Sequence, residues 1–331
     1  MKIGFFEIKE WEKEILNESF KDDELHYFEH AINDENCHEY KDFDIISIFI
    51  YSRVTKNVIE NLQNLKMVAT RSTGFDHVDL NEAKNRNIIV SNVPTYGENT
   101  VAEHTFALIL NLARNVHKSY LRTQRDDYSI EGLEGFDLKN KTIGIIGTGN
   151  IGLHVVKIAK GFGMKVIAFD PIKKDFVSEV LGYEYVDFDT LLSQSDIISI
   201  HAPLNEHTLH LINKDNVHKI KKGAILINTS RGGLVENNAL VEGLEKGIIS
   251  GAGLDVIEGE ELIKEEKELL HKDIDFEKLK TILTDHLIFK RENVVYTPHN
   301  AFNSREANKR ILTTTINNIK KFEENNPINL V

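Results

Sequence analysis

Apolar and polar positions fall in blocks along this chain. From residue 142 onward, the short β-rich runs TIGIIG (142–147), KVIAF (165–169), DIISI (196–200), AILIN (224–228), GAGLD (251–255) and NVVYT (293–297) alternate with helical stretches. Several runs are continuously apolar, as strands buried on both faces should be, and the alternation predicts a parallel sheet of βαβ units. The first hundred residues repeat the theme more loosely in KIGFF, ELHYF, DIISIF, KMVAT and NIIV. A chain of 331 residues also exceeds what one core usually organises. The expectation is an α/β protein with two domains.

Between the two sets of runs lies NTVAEHTFALILNLARNVHKSYLRTQ, residues 99–124. Thr100 and Glu103 have capping-box spacing, which predicts a helix start there. From Phe106 to Ala113 the segment is apolar nearly all round, Asn111 apart, so such a helix must be covered on several sides. Two covers are open: the helix is wedged between the domains, or a partner subunit packs on it as well. A final helix, around Ser304 to Glu324, could return the chain to the first domain.

Charge narrows the functions. The formal balance of −12 disfavours nucleic acid, which needs concentrated Lys and Arg, and the longest basic knot is only Lys219 to Lys222. The single cysteine, Cys37, cannot form an internal disulfide and suits a reducing compartment. The start MKIGFFEIKEWEKE reads as no secretory signal, and no apolar run approaches the ~20 residues of a membrane span. A soluble, cytoplasmic protein is expected.

The loop GTGNIG, residues 147–152, has a strand before it and a helical run after it. That context makes a GxGxxG pattern specific. Gly147 permits the tight turn, Gly149 lets a pyrophosphate approach the backbone, and Gly152 allows close helix–sheet packing. Asp170 ends the next strand, where an acid hydrogen-bonds both ribose hydroxyls and repels the extra phosphate of NADP. NAD is therefore the expected cofactor, with Lys173 and Lys174 close enough to leave room for some NADP.

Ligands of open parallel sheets bind beyond the carboxyl ends of the strands. Just past each run stand the glycine loop, Asp170, His201-Ala202-Pro203, Thr229-Ser230-Arg231, Asp255 and Pro298-His299. Arg231 offers a planar fork matched to a carboxylate, or else a structural pairing with an acid of the segment Gly259-Glu260-Glu261. His299 follows a strand and a proline, a rigid setting that serves catalysis or plain structure alike. His201 can simply cap a strand end. No HExxH or Cys/His ligand spacing occurs, so no metal is expected, and no GxSxG elbow suggests nucleophilic catalysis.

Six blocks now stand in order: RSTGFDHVDL (71–80), VPTYGENTVAEHT (93–105), GTGNIG, INTSRGGLVENNAL (227–240), GAGLDV (251–256) and TPHNAF (297–302). Together they resemble the D-isomer-specific 2-hydroxyacid dehydrogenases over nearly the whole chain. The resemblance implies two doubly wound parallel-sheet domains with a cleft between them. One is a flavodoxin-like substrate domain of residues 1–98 plus 301–331, the other a Rossmann-type NAD-binding domain of residues 99–300. It further implies a homodimer built largely on the segment after residue 99.

The resemblance also assigns roles. Arg231 matches the arginine that binds the substrate's carboxylate and C2 oxygen, His299 the acid/base, and Glu260 the acid that hydrogen-bonds that histidine. Asn150, Ile151, Asp170, Ala202, Pro203, Thr208 and Thr229 fall on cofactor contacts, with Gly147, Gly149, Gly152 and Ser230 beside them and Asp255 near the nicotinamide carboxamide. Thr73 and Gly74 match the loop whose amides hold the substrate carboxylate. Tyr51, Tyr96 and Phe302 are similar to the aromatic lining of the family's D-lactate dehydrogenase branch.

The implied activity is reversible, NAD-dependent reduction of a small 2-oxo acid such as pyruvate to the D-2-hydroxy acid. Its alternatives are a family member acting on glycerate, phosphoglycerate or a longer 2-oxo acid, and a nucleotide-sensing protein like the corepressors of this fold. A phosphorylated substrate would call for basic residues near Ser72 to Asp76, where only Arg71 stands. One departure is the charged segment from Glu261 to Glu292, long for this place, whose Leu269, Leu270, Leu279, Ile282 and Leu283 suggest one or two amphipathic helices. An insertion there could displace Glu260 from His299.

Overall fold

The structure, a computed structural model, describes residues 1–260 and 276–331. Two compact units make it up: Met1–Tyr96 with Ser304–Val331, and Gly97–Asn303.

The first unit carries strands β1 (Lys2–Phe5), β2 (Glu24–Tyr27), β3 (Ile45–Ile48), β4 (Met67–Thr70) and β5 (Ile89–Ser91). They pair in parallel in the order β2-β1-β3-β4-β5, the doubly wound order of flavodoxin-like sheets. Every residue of β3 and β4 is buried, because helices cover both faces. Ile46, Ile48 and Val68 pack with Val58, Ile59 and Ala83 of helices Lys56–Asn61 and Leu80–Asn85. Ile45, Met67 and Ala69 pack on the opposite face with Leu16 of helix Glu10–Ser19 and with Leu312 and Ile319 of the last helix, Arg305–Glu323. Ser304 caps that last helix through its side chain, at the position the sequence marks as its start.

The second unit holds β6 (Thr142–Ile146), β7 (Lys165–Phe169), β8 (Glu184–Tyr185), β9 (Ile197–Ile200), β10 (Ala224–Asn228), β11 (Ile249–Leu254) and β12 (Val294–Tyr296). These form a seven-stranded sheet in the order β12-β11-β10-β9-β6-β7-β8, and all its pairings are parallel. This is the Rossmann order extended by one strand. Among the described residues, eleven of the twelve strands correspond to the apolar runs. The twelfth, β8, is a two-residue edge strand too short to show any periodicity.

Two local expectations need correction. The helix expected from Thr100 starts earlier, as Glu98–Ala113, with Gly97 as its N-cap. Thr100 is thus inside the first turn and buried, and it is Asn99 whose side chain reaches Glu103, at 3.1 Å. Nor does the helix run to Gln124. It stops at Arg114, and Asn115 adopts a left-handed conformation (φ +50°) with its side-chain amide donating to the carbonyl of Glu134. A second helix, Val116–Thr123, follows. In the charged segment a helix spans Phe276–Phe289; Leu269 and Leu270 lie outside the described residues.

Candidate functional site

The seven-stranded sheet delivers its polar side chains to one edge, because all its strands end the same way. At the end of β6, Gly147 has φ +95°, and a Cβ on it would come within 2.6 Å of the His201 carbonyl. Gly152 is tighter still, since a Cβ there would lie 2.1 Å from the Gly147 carbonyl oxygen. Gly149, by contrast, has open space where its Cβ would be, and it is the N-cap of helix Asn150–Gly161. A turn closed against its own helix with an open amide-rich mouth fits a dinucleotide pyrophosphate. Asn150 is exposed and Ile151 half-buried at that mouth.

Asp170, at the end of β7, is set by the same loop. Its Oδ2 accepts from the Thr148 amide (2.7 Å) and hydroxyl (3.1 Å), and its Oδ1 from the Ile172 amide (2.8 Å). The buried Thr148 hydroxyl also meets Tyr185 at 2.8 Å. Thr148 was not singled out in the sequence, although it sits inside the glycine motif. The Lys174 ammonium donates to the Thr148 carbonyl at 3.1 Å.

After β9 come His201, Ala202 and Pro203. Burial pushes the His201 imidazole down to about 3, so the ring is neutral near pH 7. Its Nε2 meets Ser199 Oγ at 2.8 Å, while Nδ1 is buried without a partner. Thr208 closes the following loop by donating to the Pro203 carbonyl (2.6 Å) and accepting from the Asn205 amide (2.8 Å).

Beyond β10, Thr229 is buried and its hydroxyl meets Thr105 of helix Glu98–Ala113 at 3.0 Å. Ser230 Oγ donates to the Ile200 carbonyl at 2.8 Å, which ties the ends of β10 and β9. Arg231 is half-buried in extended backbone, with Nη1 on the Ser230 carbonyl at 2.8 Å. The next residue must be glycine: a Cβ on Gly232 would stand 2.1 Å from the Ile257 carbonyl group. The turn carrying Arg231 therefore lies directly on the segment that leads to Glu260. That segment is pinned in turn by Asn237, which donates to the Glu258 carbonyl (3.1 Å) and to Asp285 (2.7 Å), and by His210 on the Glu258 carboxylate.

His299 and Glu260 meet, with Nδ1 and Oε1 2.7 Å apart. Both side chains are about four-fifths buried, at 22% and 18% exposure, so the pair is screened little by water. His299 has φ +51°, an unfavourable conformation for a non-glycine residue that the surroundings must enforce. Asp255 does so. Its carbonyl accepts from the His299 amide (2.9 Å), and its buried carboxylate accepts from the Thr297 hydroxyl and the Asn300 and Ala301 amides. His104 joins this knot through Thr297 at 2.9 Å. Phe302 follows, half-buried.

In the first unit Tyr51, Thr73 with Gly74, and Tyr96 follow the ends of β3, β4 and β5 respectively. Tyr51 is 53% exposed. Thr73 donates to the Val93 carbonyl at 2.8 Å and its own carbonyl accepts from Asn92 at 2.8 Å; Ser72 donates to the Gly74 carbonyl at 2.6 Å. Arg310 of the last helix donates to the Tyr96 carbonyl. Arg71 is not available to a ligand: it is 2% exposed and its guanidinium bonds the carbonyls of Phe6, Glu7 and Ser47. Among the described residues no cluster of three or more His, Cys, Asp or Glu could hold a metal, and no helix is long and apolar enough to cross a membrane.

The fold and edge define a dinucleotide-binding α/β protein whose strand-end edge carries a hydrogen-bonded Glu–His pair and an arginine. Residues 106–301 match the family described as "D-isomer specific 2-hydroxyacid dehydrogenase, NAD binding domain". The chain is 36% identical to D-lactate dehydrogenase of Escherichia coli (strain K12), over 98% of this chain and 97% of that one. It is 37% identical to glyoxylate reductase of Thermococcus litoralis, over 88% and 84% of the two chains. A crystal structure of D-lactate dehydrogenase from Aquifex aeolicus complexed with NAD and lactic acid superposes with a TM-score of 0.88 at 34% identity, covering 98% of this chain and 96% of that one. The chain belongs to the D-isomer-specific 2-hydroxyacid dehydrogenase family. It is an NAD-dependent oxidoreductase of that family.

Proposed function

We propose that this enzyme is a D-lactate dehydrogenase, reducing pyruvate or a similarly small 2-oxo acid reversibly to the D-2-hydroxy acid. The observation that carries the reading is the Glu260–His299 pair at 2.7 Å, on the strand-end edge that also carries Arg231. NAD would be held by Gly147, Gly149, Asn150, Ile151, Gly152, Asp170, Ala202, Pro203, Thr208, Thr229, Ser230 and Asp255. Its nicotinamide supplies the hydride. Arg231 binds the carboxylate and polarises the 2-oxo group, since its planar fork can reach both. His299 Nε2 gives its proton to the oxygen that becomes the hydroxyl. Glu260 holds the ring through Nδ1, which leaves Nε2 turned to the substrate oxygen.

Thr73 and Gly74 would take the carboxylate with backbone amides, and Tyr51, Tyr96 and Phe302 would line the side-chain pocket. A phosphorylated substrate is disfavoured by the burial of Arg71, the basic residue nearest that loop. A cytoplasmic homodimer completes the reading; Val116, Tyr120 and Leu121 of helix Val116–Thr123, together with Tyr128 and Ile130, are exposed and would pack on the partner.

A substrate panel tests this: NADH and NADPH oxidation with pyruvate, glyoxylate, 2-oxobutyrate and phenylpyruvate, with chiral analysis of the product. The highest kcat/KM is expected for pyruvate with NADH, giving the D-product. A preference for glyoxylate or phenylpyruvate would refute the lactate reading while leaving the family intact.

A further inference from the structure

Glu7 has no place in the chemistry described above, yet four donors converge on its side chain. Oε2 accepts from the amides of Phe49 (2.9 Å) and Ser52 (3.0 Å) and from the Ser52 hydroxyl, and Oε1 accepts from the Tyr51 amide (2.8 Å). One carboxylate thus fastens the whole turn that presents Tyr51. Glu7 itself has φ +57°, which a non-glycine residue adopts only when its neighbours enforce it.

Arg71 supplies the enforcement. Its Nη2 donates to the carbonyls of Phe6 (2.7 Å) and Glu7 (3.0 Å), and its Nη1 to the Ser47 hydroxyl (3.2 Å). Its amide donates to the Ile48 carbonyl at 2.8 Å, and the chain runs straight on into Ser72, Thr73 and Gly74. Burial presses the guanidinium down from its ordinary range, against the pull of Glu12 and Glu7. Buried charges seldom improve stability over apolar residues of the same volume, so a device like this is better explained by the geometry it enforces.

We propose that Glu7 and Arg71 are positioning residues that set substrate selectivity, by fixing the Tyr51 turn and the Thr73–Gly74 loop as one rigid frame. The proposal rests on the reading that these two loops meet the 2-oxo acid. Glu7 touches no reacting atom. It acts through the turn of residues 49–52.

The test uses Glu7→Gln, whose amide nitrogen cannot accept a hydrogen bond, and the milder Ser52→Ala. Three readouts are compared with wild type: amide hydrogen exchange at residues 49–52, pyruvate kinetics with NADH affinity, and the pyruvate-to-phenylpyruvate ratio of kcat/KM. In Glu7→Gln the amides of Phe49, Tyr51 and Ser52 should exchange faster by about tenfold or more, with those of the seven-stranded sheet unchanged. KM for pyruvate should rise about tenfold and the selectivity ratio flatten, with kcat and NADH affinity nearly constant. Ser52→Ala should move every readout the same way by roughly a third of that on a logarithmic scale, and it decides the matter if Glu7→Gln does not fold. Wild-type exchange at 49–52, or faster exchange with unchanged KM and selectivity, overturns the proposal alone. A wild-type protein inert toward every 2-oxo acid overturns the functional reading, and with it the substrate role given to Glu7.

Discussion

The edges of the two parallel sheets put their polar side chains to opposite uses. Beyond the seven-stranded sheet, Arg231, Glu260 and His299 are only partly buried and are held from behind: buried Asp255 accepts from the His299 amide, and Gly232 packs against the Ile257 carbonyl beside Arg231. Beyond the five-stranded sheet the strongest polar groups are consumed by backbone. Glu7 and Arg71 bind amides and carbonyls, and Asn329 donates to Asn318 (2.7 Å), Asn318 to the Asn92 carbonyl (2.8 Å) and Asn92 to the Thr73 carbonyl (2.8 Å). Under the proposed function one edge offers reactive groups and the other builds shape: a proton and an anion need side chains that can meet them, whereas a pocket wall needs loops that do not move.

That contrast fails most visibly if a residue of the reactive edge proves to be structural. His299→Gln is expected to lower kcat by roughly a thousandfold, about 4 kcal/mol of barrier, with NADH affinity and melting temperature close to wild type. Steady-state kinetics, cofactor titration and thermal unfolding together check it. A large drop in melting temperature with turnover preserved would erase the distinction. On the shape-building edge, Asn318→Ala should do the reverse. The residue is 1% exposed, and losing its side chain takes a partner from the Asn329 side-chain amide and from the Asn92 carbonyl, at a cost of about 2–3 kcal/mol. Stability and pyruvate KM should suffer while kcat holds, as read by denaturant unfolding beside kinetics.

The two edges also differ in how well a reader of the sequence could see them. Doubly covered strands such as IISI and AILIN announce themselves as continuous apolar runs, and the glycine loop declares its strand and helix by context. His299, Arg231 and Asp170 were visible because a charged or titratable residue just past an apolar run is conspicuous. Glu7, Asn92 and Asn318 were not, because their partners are backbone atoms 44, 19 and 226 residues away, and no spacing records that. Helix ends failed for a related reason. Thr100 has the right residue type for a cap, yet Gly97 bends the chain first and Asn115 ends the helix by a left-handed turn.

A junction tests how far the reactive edge depends on hidden packing. Gly232→Ala would place a Cβ 2.1 Å from the Ile257 carbonyl, with backbone on both sides and no flexible side chain to yield. The expected loss is about 1–3 kcal/mol of stability. Activity should fall further than stability implies, because Arg231 and the segment leading to Glu260 must move apart. Unaltered kcat/KM in a folded Gly232→Ala variant would show that the two roles do not depend on that contact.

The smallest effect belongs to His201, which sits on the reactive edge but is enclosed like a structural residue. Its folded-state value of about 3 lies below the ordinary 6.5, so between those limits the unfolded chain binds more protons than the folded one. Stability then falls as pH drops through that window, and this histidine alone should remove roughly 1 kcal/mol between pH 7.5 and 5.5. His201→Gln, which cannot titrate, should flatten that part of the pH dependence of unfolding while keeping a donor for Ser199. If the variant and wild type lose stability in parallel on acidification, the imidazole is not held neutral, and His201 belongs with the reactive groups of its edge.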